Sequence, residues 1–363
     1  MSKKYVLFAL ITVIMSAAAG VLLVELGLRI IDRSPVKSTW LEMHERGFMM
    51  NRAHTDGLHT FNDIRVRYEL SPERSRGEPV DEAHTNIWVF GDSFTFGLLL
   101  PEADTFVSRM NMKIAAHAPD SDIRFINAGV GGTGLADWLA FLETYGEKLP
   151  IDGILLMHNY DDFARTLAKN LYVADGAGGL QESRRWRERG IKRTLDESRL
   201  WKLLQENFRL FSYVQSLLWS TLYFEDLFEA SDEVINPFAG LGTLDEYHAY
   251  ALEVVPQIYE RLLRLSQRRQ VPLWVSTTGF IGKEQADEVN ELVFDALPDM
   301  LEEAGIYYDD ITPHLHEKIA GNYDQIRIPG DTHPNRKGAA LIGELLWERS
   351  SAVIMNDVNQ PSE

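Results

Sequence analysis

Ser93 lies in VFGDSFTFG, residues 89–97, where the apolar run Ile87-Trp88-Val89-Phe90 stops at Gly91-Asp92-Ser93. A serine at the end of a buried strand can act as a nucleophile, but its hydroxyl is weak until a base takes the proton. The plainer reading of the same residues is a helix N-cap, because Asp and Ser both accept hydrogen bonds from free helix N–H groups. The base for a serine is usually a histidine oriented by an acid. IPGDTHPNRKGAAL, near the C-terminus, offers His333 two residues after Asp331 and just ahead of a helix. Taken alone, DTHPN also reads as a turn with a capping Asp. Acyl chemistry further needs donors aimed at the oxygen that becomes negative. NAGVGGTG, residues 127–134, has glycines that let a backbone N–H approach a substrate. By itself it could equally be a phosphate cradle, but it has no following Lys-Ser or Lys-Thr and its spacing fits no P-loop. LLMHNYDDF adds His158, Asn159, Asp161 and Asp162. No His pair in HNYDD or DTHPN has HExxH spacing, which makes metal-assisted hydrolysis a poor third reading.

These residues must be brought together by the elements between them. NIWVFG, DIRFINAG, DGILLMH, VPLWVSTT and GIYYDD read as five strands. Helix-length amphipathic segments separate them. Such alternation predicts an α/β/α sandwich: a mainly parallel five-stranded sheet covered by helices on both faces. Sites in such sheets form at the C-terminal strand ends, where every candidate above falls. Pro256 is expected to kink or interrupt the long helix before VPLWVSTT. Between about 165 and 245 the alternation lapses into a helical insertion. Leu200, Leu203, Leu204, Phe208, Phe211 and Val214 stand there near helical spacing. That pattern suits a helix packed on the main domain, or a lid or acyl-chain groove over the site.

Bulk properties narrow the function class. The formal charge is -18, from 54 acids against 36 Lys and Arg, so the surface repels phosphate backbones and nucleic acid is an unsuitable partner. The chain has no cysteine, which excludes thiolate catalysis, disulfides and Cys-zinc sites. At the N-terminus, Lys3 and Lys4 precede an uncharged run over residues 5–24. Its twenty residues reach about 30 Å as a helix, the thickness of a bilayer's hydrocarbon core. Apolar character continues to Ile31, longer than a usual signal-peptide core, which favours an uncleaved transmembrane signal-anchor. Ala17-Ala18-Ala19 before Gly20 keeps a cleaved signal as the rival. Lys3 and Lys4 are balanced by Arg29, Arg33 and Lys37, so charge does not fix the orientation.

GDSFTFG, NAGVGG and DTHPN together resemble the blocks of the SGNH hydrolases, the GDSL-type esterase and acyltransferase superfamily. The resemblance runs from about Asn86 to Glu348, with the insertion outside it. It implies that Ser93 is nucleophile and oxyanion donor, that His333 is the base with Asp331 orienting it, and that Gly132 is the oxyanion glycine. The family's third block is Asn-Asp, its Asn being a further donor. An ungapped alignment puts Asp161-Asp162 there, and ionised Asp cannot donate. Either Asn159 supplies the amide from a shifted position or the hole has two donors. The Asp-x-His spacing is shorter than the Asp-x-x-His of many members and also occurs among polysaccharide acetyltransferase relatives. LLVELGLRII ahead of a polar stretch resembles membrane-anchored bacterial members, with the catalytic domain outside the cytoplasm, in the periplasm or beyond.

The expected organisation is therefore a transmembrane signal-anchor over 1–31, a linker and irregular surface segment over 32–85, a hydrolase-like domain over 86–350 and a tail over 351–363 that is expected to fray after Val353. Trp40, Phe48, Phe61 and Tyr68 are poor linker residues and imply that part of 32–85 packs on the domain. The expected function is ester hydrolysis through an acyl-enzyme on Ser93, with an acylated carbohydrate or lipid as substrate. It needs no metal or cofactor. O-acyl transfer to an envelope polysaccharide is the alternative within the same chemistry. A catalytically weakened relative that binds glycans or partners is the alternative outside it, with Asp161 as the residue that favours it.

Overall fold

The computed structural model describes residues 3–31, 40–159, 161–177, 179–183, 198, 200, 203–204, 207–211, 214, 244–278 and 288–359. They fall into two units. The first takes in residues 1–39 and 189–232. Its helix α1 (Lys3–Ile31) contains an 18-residue stretch of mean hydropathy 2.6 and is long and apolar enough to cross a membrane. Its single acid, Glu25, accepts hydrogen bonds from Arg29 Nε (2.7 Å) and from the N–H groups of Arg209 (3.1 Å) and Leu210 (2.9 Å). A carboxylate removed from water needs such partners.

The second unit, residues 40–188 and 233–363, opens with two antiparallel hairpins. β1 (Leu41–Met43) pairs with β2 (Met49–Asn51), and β3 (Thr55–Phe61) with β4 (Ile64–Leu70). The alternating part follows. β5 (Thr85–Gly91) runs into the single turn α2 (Ser93–Phe96), then come α3 (Phe106–His117), β6 (Ile123–Asn127), α4 (Leu135–Tyr145), β7 (Gly153–His158) and α5 (Asp162–Lys169). A small hairpin, β8 (Tyr172–Ala174) with β9 (Leu180–Glu182), comes next. The unit closes with α6 (Leu244–Arg269), β10 (Leu273–Thr277), α7 (Glu288–Glu303), β11 (Tyr307–Asp310), α8 (Thr312–Lys318) and α9 (Arg336–Asn359).

The five strands pair in parallel in the order β11-β10-β7-β5-β6. Both faces are covered, so alternate residues of one strand enter different cores. Trp88, Phe90, Ile154, Leu156 and Val275 pack with α4, α5, α6 and α7. Ile87, Val89, Leu155, Met157 and Trp274 pack with α3, α8 and α9. This is the α/β/α sandwich expected from the alternation. The chain leaves β5 for β6 on one side and returns to β7 on the other. That reversal opens a crevice at the C-terminal ends of β5 and β7.

Three expectations about the surroundings are corrected. Residues 40–70 are not a linker. Phe48 and Tyr68 are fully buried, and Val66, Tyr68 and Leu70 alternate with the exposed Arg65, Arg67 and Glu69, the pattern of a half-buried strand. Pro256 does not interrupt α6. Ala251, Val255, Ile258, Tyr259 and Leu262 are buried on both sides of it, and that packing outweighs one missing N–H. The tail does not fray directly after Val353. α9 continues to Asn359, with Ile354 buried and Asp357 accepting from Trp274 Nε1 at 2.8 Å. The insertion opens with α5 and the β8–β9 hairpin. Most of residues 184–243, and with them the lid or acyl-groove reading, lies outside the described residues.

Candidate active site

β5 delivers Ser93. The turn after it is tight: a Cβ on Gly91 would collide with the Thr95 side chain and stand 2.9 Å from Met157 O, so only glycine fits. Asp92 caps the turn, its Oδ1 accepting from Phe94 N at 2.8 Å. The capping reading of GDS therefore holds. The turn is held from outside by the 40–85 segment. Arg76, 4% exposed, donates to the carbonyls of Phe96, Gly97 (2.7 Å) and Leu100. Burial pushes its guanidinium down to about 10, which leaves it charged at neutral pH. Tyr68 Oη accepts from Leu99 N at 2.9 Å, and burial pushes its phenol up to about 12.

The second loop follows β6. Asn127 Nδ2 donates to Thr95 O (2.9 Å) and Val130 N to Gly91 O (3.0 Å), which ties this loop to the serine turn. At its crest a Cβ on Gly131 would lie 3.8 Å from Ser93 Cβ. Gly132 follows with φ 71°, a left-handed conformation that favours glycine.

The histidine loop precedes α9. Asn335 anchors it, donating to Gln325 O (3.2 Å) and Arg327 O (3.0 Å) while its Oδ1 accepts from Lys337 N (2.9 Å) and Gly338 N (3.0 Å). Asp331 Oδ1 accepts from His333 N at 2.8 Å and also bonds His333 Nδ1. One carboxylate oxygen thus fixes both the backbone turn and the ring, and this is how a two-residue spacing suffices. His333 Nε2 lies 2.8 Å from Ser93 Oγ. A carboxylate only accepts, so the imidazole proton is assigned to Nδ1 and Nε2 presents its lone pair to the serine O–H. Phe94 packs on the ring, centroids 5.0 Å apart.

At the end of β7 the four polar residues separate. His158 turns into the core: Nε2 is 2.6 Å from Tyr259 Oη, and Phe163 stacks on the ring at 4.7 Å. Full burial pushes its imidazole down to about 3, so it stays neutral at pH 7. Asn159 Nδ2 donates to Asp92 Oδ2 at 3.2 Å, and Ser93 Oγ approaches that same oxygen at 3.4 Å. Asp162 is fully buried and accepts from Asn159 N at 2.7 Å. Burial, reinforced by the neighbouring Asp92, raises its carboxyl well above the usual range. Asp161 accepts from Arg165 Nη2 at 3.1 Å. Arg165 is the residue that the sequence reading missed. Its signal was the i+3 and i+4 spacing from Asp162 and Asp161, usable only once residues 162–169 are known to be helical. Among the described residues no group of His, Asp and Glu could hold a metal ion.

No family model matches the chain, and no curated protein matches it. Solved structures similar to it include the psychrotrophic esterase EstA of Pseudoalteromonas sp. (13% identity over 75% of this chain and 100% of that one, TM-score 0.42). A member of the lipolytic G-D-S-L family from Veillonella parvula is 15% identical over 74% and 98% of the two chains, TM-score 0.39. A catalytic mutant of the acetylxylan esterase Axe2 of Geobacillus stearothermophilus is 16% identical over 76% and 95%, TM-score 0.39. The similarities are to GDSL-type proteins and esterases. At this level they do not bear on what this chain acts on, and the functional reading rests on the site itself.

Proposed function

We propose that the chain is a serine esterase of the SGNH type that forms an acyl-enzyme on Ser93. The observation that carries this is the continuous set Ser93 Oγ, His333 Nε2 at 2.8 Å, and His333 Nδ1 on Asp331. Ser93 Oγ attacks the acyl carbonyl as its proton passes to Nε2. Asp331 stabilises the resulting imidazolium. The tetrahedral oxyanion collapses, and the alcohol leaves with the proton from His333. Water then attacks the acyl-enzyme, His333 again taking and returning a proton, and the carboxylic acid is released. The N–H groups of Ser93 and Gly132 are the backbone oxyanion donors. A sugar hydroxyl in place of water would give O-acyl transfer. The test is incubation with a fluorophosphonate and mass mapping of the modified residue. Modification at Ser93 is expected, and a wild-type chain left unmodified would sink the proposal.

Asn159 is the third donor in this reading, because the side chain of Asp161 has no N–H and its carboxylate is drawn onto Arg165. Asn159→Ala is then expected to lower kcat about 10²-fold with little change in KM, the lost bond forming mainly in the transition state. A harmless Asn159→Ala beside a strongly activating Asp161→Asn would assign the donor position to residue 161. It would also favour the weakened, binding relative.

The substrate class, an O-acylated carbohydrate or lipid outside the cytoplasm, follows from reading α1 as an uncleaved anchor. α1 supports this by its length and apolarity. The expected result is a membrane-bound chain that keeps residues 1–31 and has its C-terminal unit on the periplasmic or extracellular side. A mature N-terminus at Gly20, or a C-terminal reporter active only in the cytoplasm, would overturn it.

A further inference from the structure

The acids around Ser93 pose an electrostatic problem. Asp92 is fully buried directly beside the serine, and Asp161 stands at the crevice edge with its side chain 31% exposed. Both are acids where the reaction develops negative charge on the substrate oxygen. A carboxylate there raises the barrier unless something compensates it. Among the described residues, Arg165 is the cation that reaches them. Arg165 Nη1 lies 2.8 Å from Asp92 Oδ2 and 3.2 Å from Asp162 Oδ1, and its Nη2 lies 3.1 Å from Asp161 Oδ2. The three acids come from two separate chain segments, the β5 turn and the start of α5, so the guanidinium also clamps one to the other. Asp92 Oδ2 in turn meets Asn159 Nδ2 and Ser93 Oγ.

We infer that Arg165 is the positioning residue of this site: it compensates Asp92 and Asp161 together and, through Asp92, sets Asn159 and Ser93. The inference rests on the serine-esterase reading above. Several features carry it. Arg165 joins with one fork what a point charge could not, because the two Nη groups face different carboxylates. The fork is largely shielded, which strengthens its pairing with acids. Burial raises the carboxyl of Asp162, which weakens its hold on Nη1 relative to that of Asp92, the nearer partner at 2.8 Å against 3.2 Å.

The test is a double-mutant comparison on a short-chain p-nitrophenyl ester, with fluorophosphonate modification of Ser93 followed in every variant. Arg165→Gln is expected to lower kcat about 10²-fold, the scale of a misplaced reacting group, with KM nearly constant. Arg165→Lys is expected to recover part of that loss, since it restores the charge without the fork. Arg165→Gln with Asp161→Asn should be faster than Arg165→Gln alone, by a larger factor than Asp161→Asn gives in the wild type, because the second change removes an acid that Arg165 no longer pairs. Simple loss of packing would not be rescued in that way. Wild-type kcat in Arg165→Gln would overturn the inference while leaving the serine reading intact, as would a loss that neither Lys nor the added Asn relieves. If Arg165→Gln does not fold, Arg165→Lys and Arg165→Lys with Asp161→Asn carry the same comparison. A wild-type chain with no modification at Ser93 would end both readings.

Discussion

Ser93→Ala is expected to remove esterase turnover, with kcat/KM falling at least ~10⁴-fold, while the thermal midpoint stays near wild type. The size of the effect follows from the loss of the hydroxyl oxygen that Nε2 of His333 faces at 2.8 Å. The neutrality toward folding follows from how the turn is built. The N-cap bond of α2 is made by Asp92 Oδ1 and Phe94 N, and Arg76 holds the far end of the turn, so the Ser93 hydroxyl is not part of the scaffold. Hydrolysis of a p-nitrophenyl ester, read beside a melting curve, checks both halves. Near-wild-type activity would remove Ser93 from the mechanism. A collapsed melting curve would show that the hydroxyl is structural.

Asp331→Asn is expected to lower kcat by roughly 10²- to 10⁴-fold with KM little changed. Asp331 Oδ1 does two jobs, accepting from His333 N and from Nδ1. An Asn can keep an oxygen in that place, so the turn and the loop anchored by Asn335 survive. It cannot keep the negative charge that stabilises the imidazolium formed when His333 takes the proton of Ser93. Asp331→Ala removes both functions, and should add a lower melting point to the same or a greater loss of rate. Steady-state kinetics and melting of the two variants separate charge from geometry. Near-wild-type kcat in Asp331→Asn would show that the acid only shapes the loop.

Of the residues that meet at the crevice, Ser93, Asn159 and the glycine loop were legible in the chain because each follows a strand by a short step, whereas Asp331 and His333 come from the loop ahead of α9. Ser93 stands two residues after the end of β5, Asn159 one after β7, and the glycine loop directly after β6. A parallel sheet carries all such positions to one edge, so strand-helix alternation determined that these groups would be neighbours. The alternation also determined the five strands and the layers over them, through runs apolar on both faces. Residues 64–70 carried a clear period of two in IRVRYEL, but their charged residues made them look like surface. Only packing reveals that Val66, Tyr68 and Leu70 line up beneath Phe96.

Other features were decided by the tertiary structure alone. Which acid would be a buried partner, which a cap and which an edge charge cannot be read from HNYDD. These roles depend on where a guanidinium from the next helix turn reaches and on how deeply each carboxyl is buried. His158 is the clearest case: beside Asn159 in sequence, it points into the core toward Tyr259, 101 residues later. Periodicity is local and fixes which element a residue belongs to. Desolvation and pairing depend on groups brought from distant segments, and they set the charge that each residue carries.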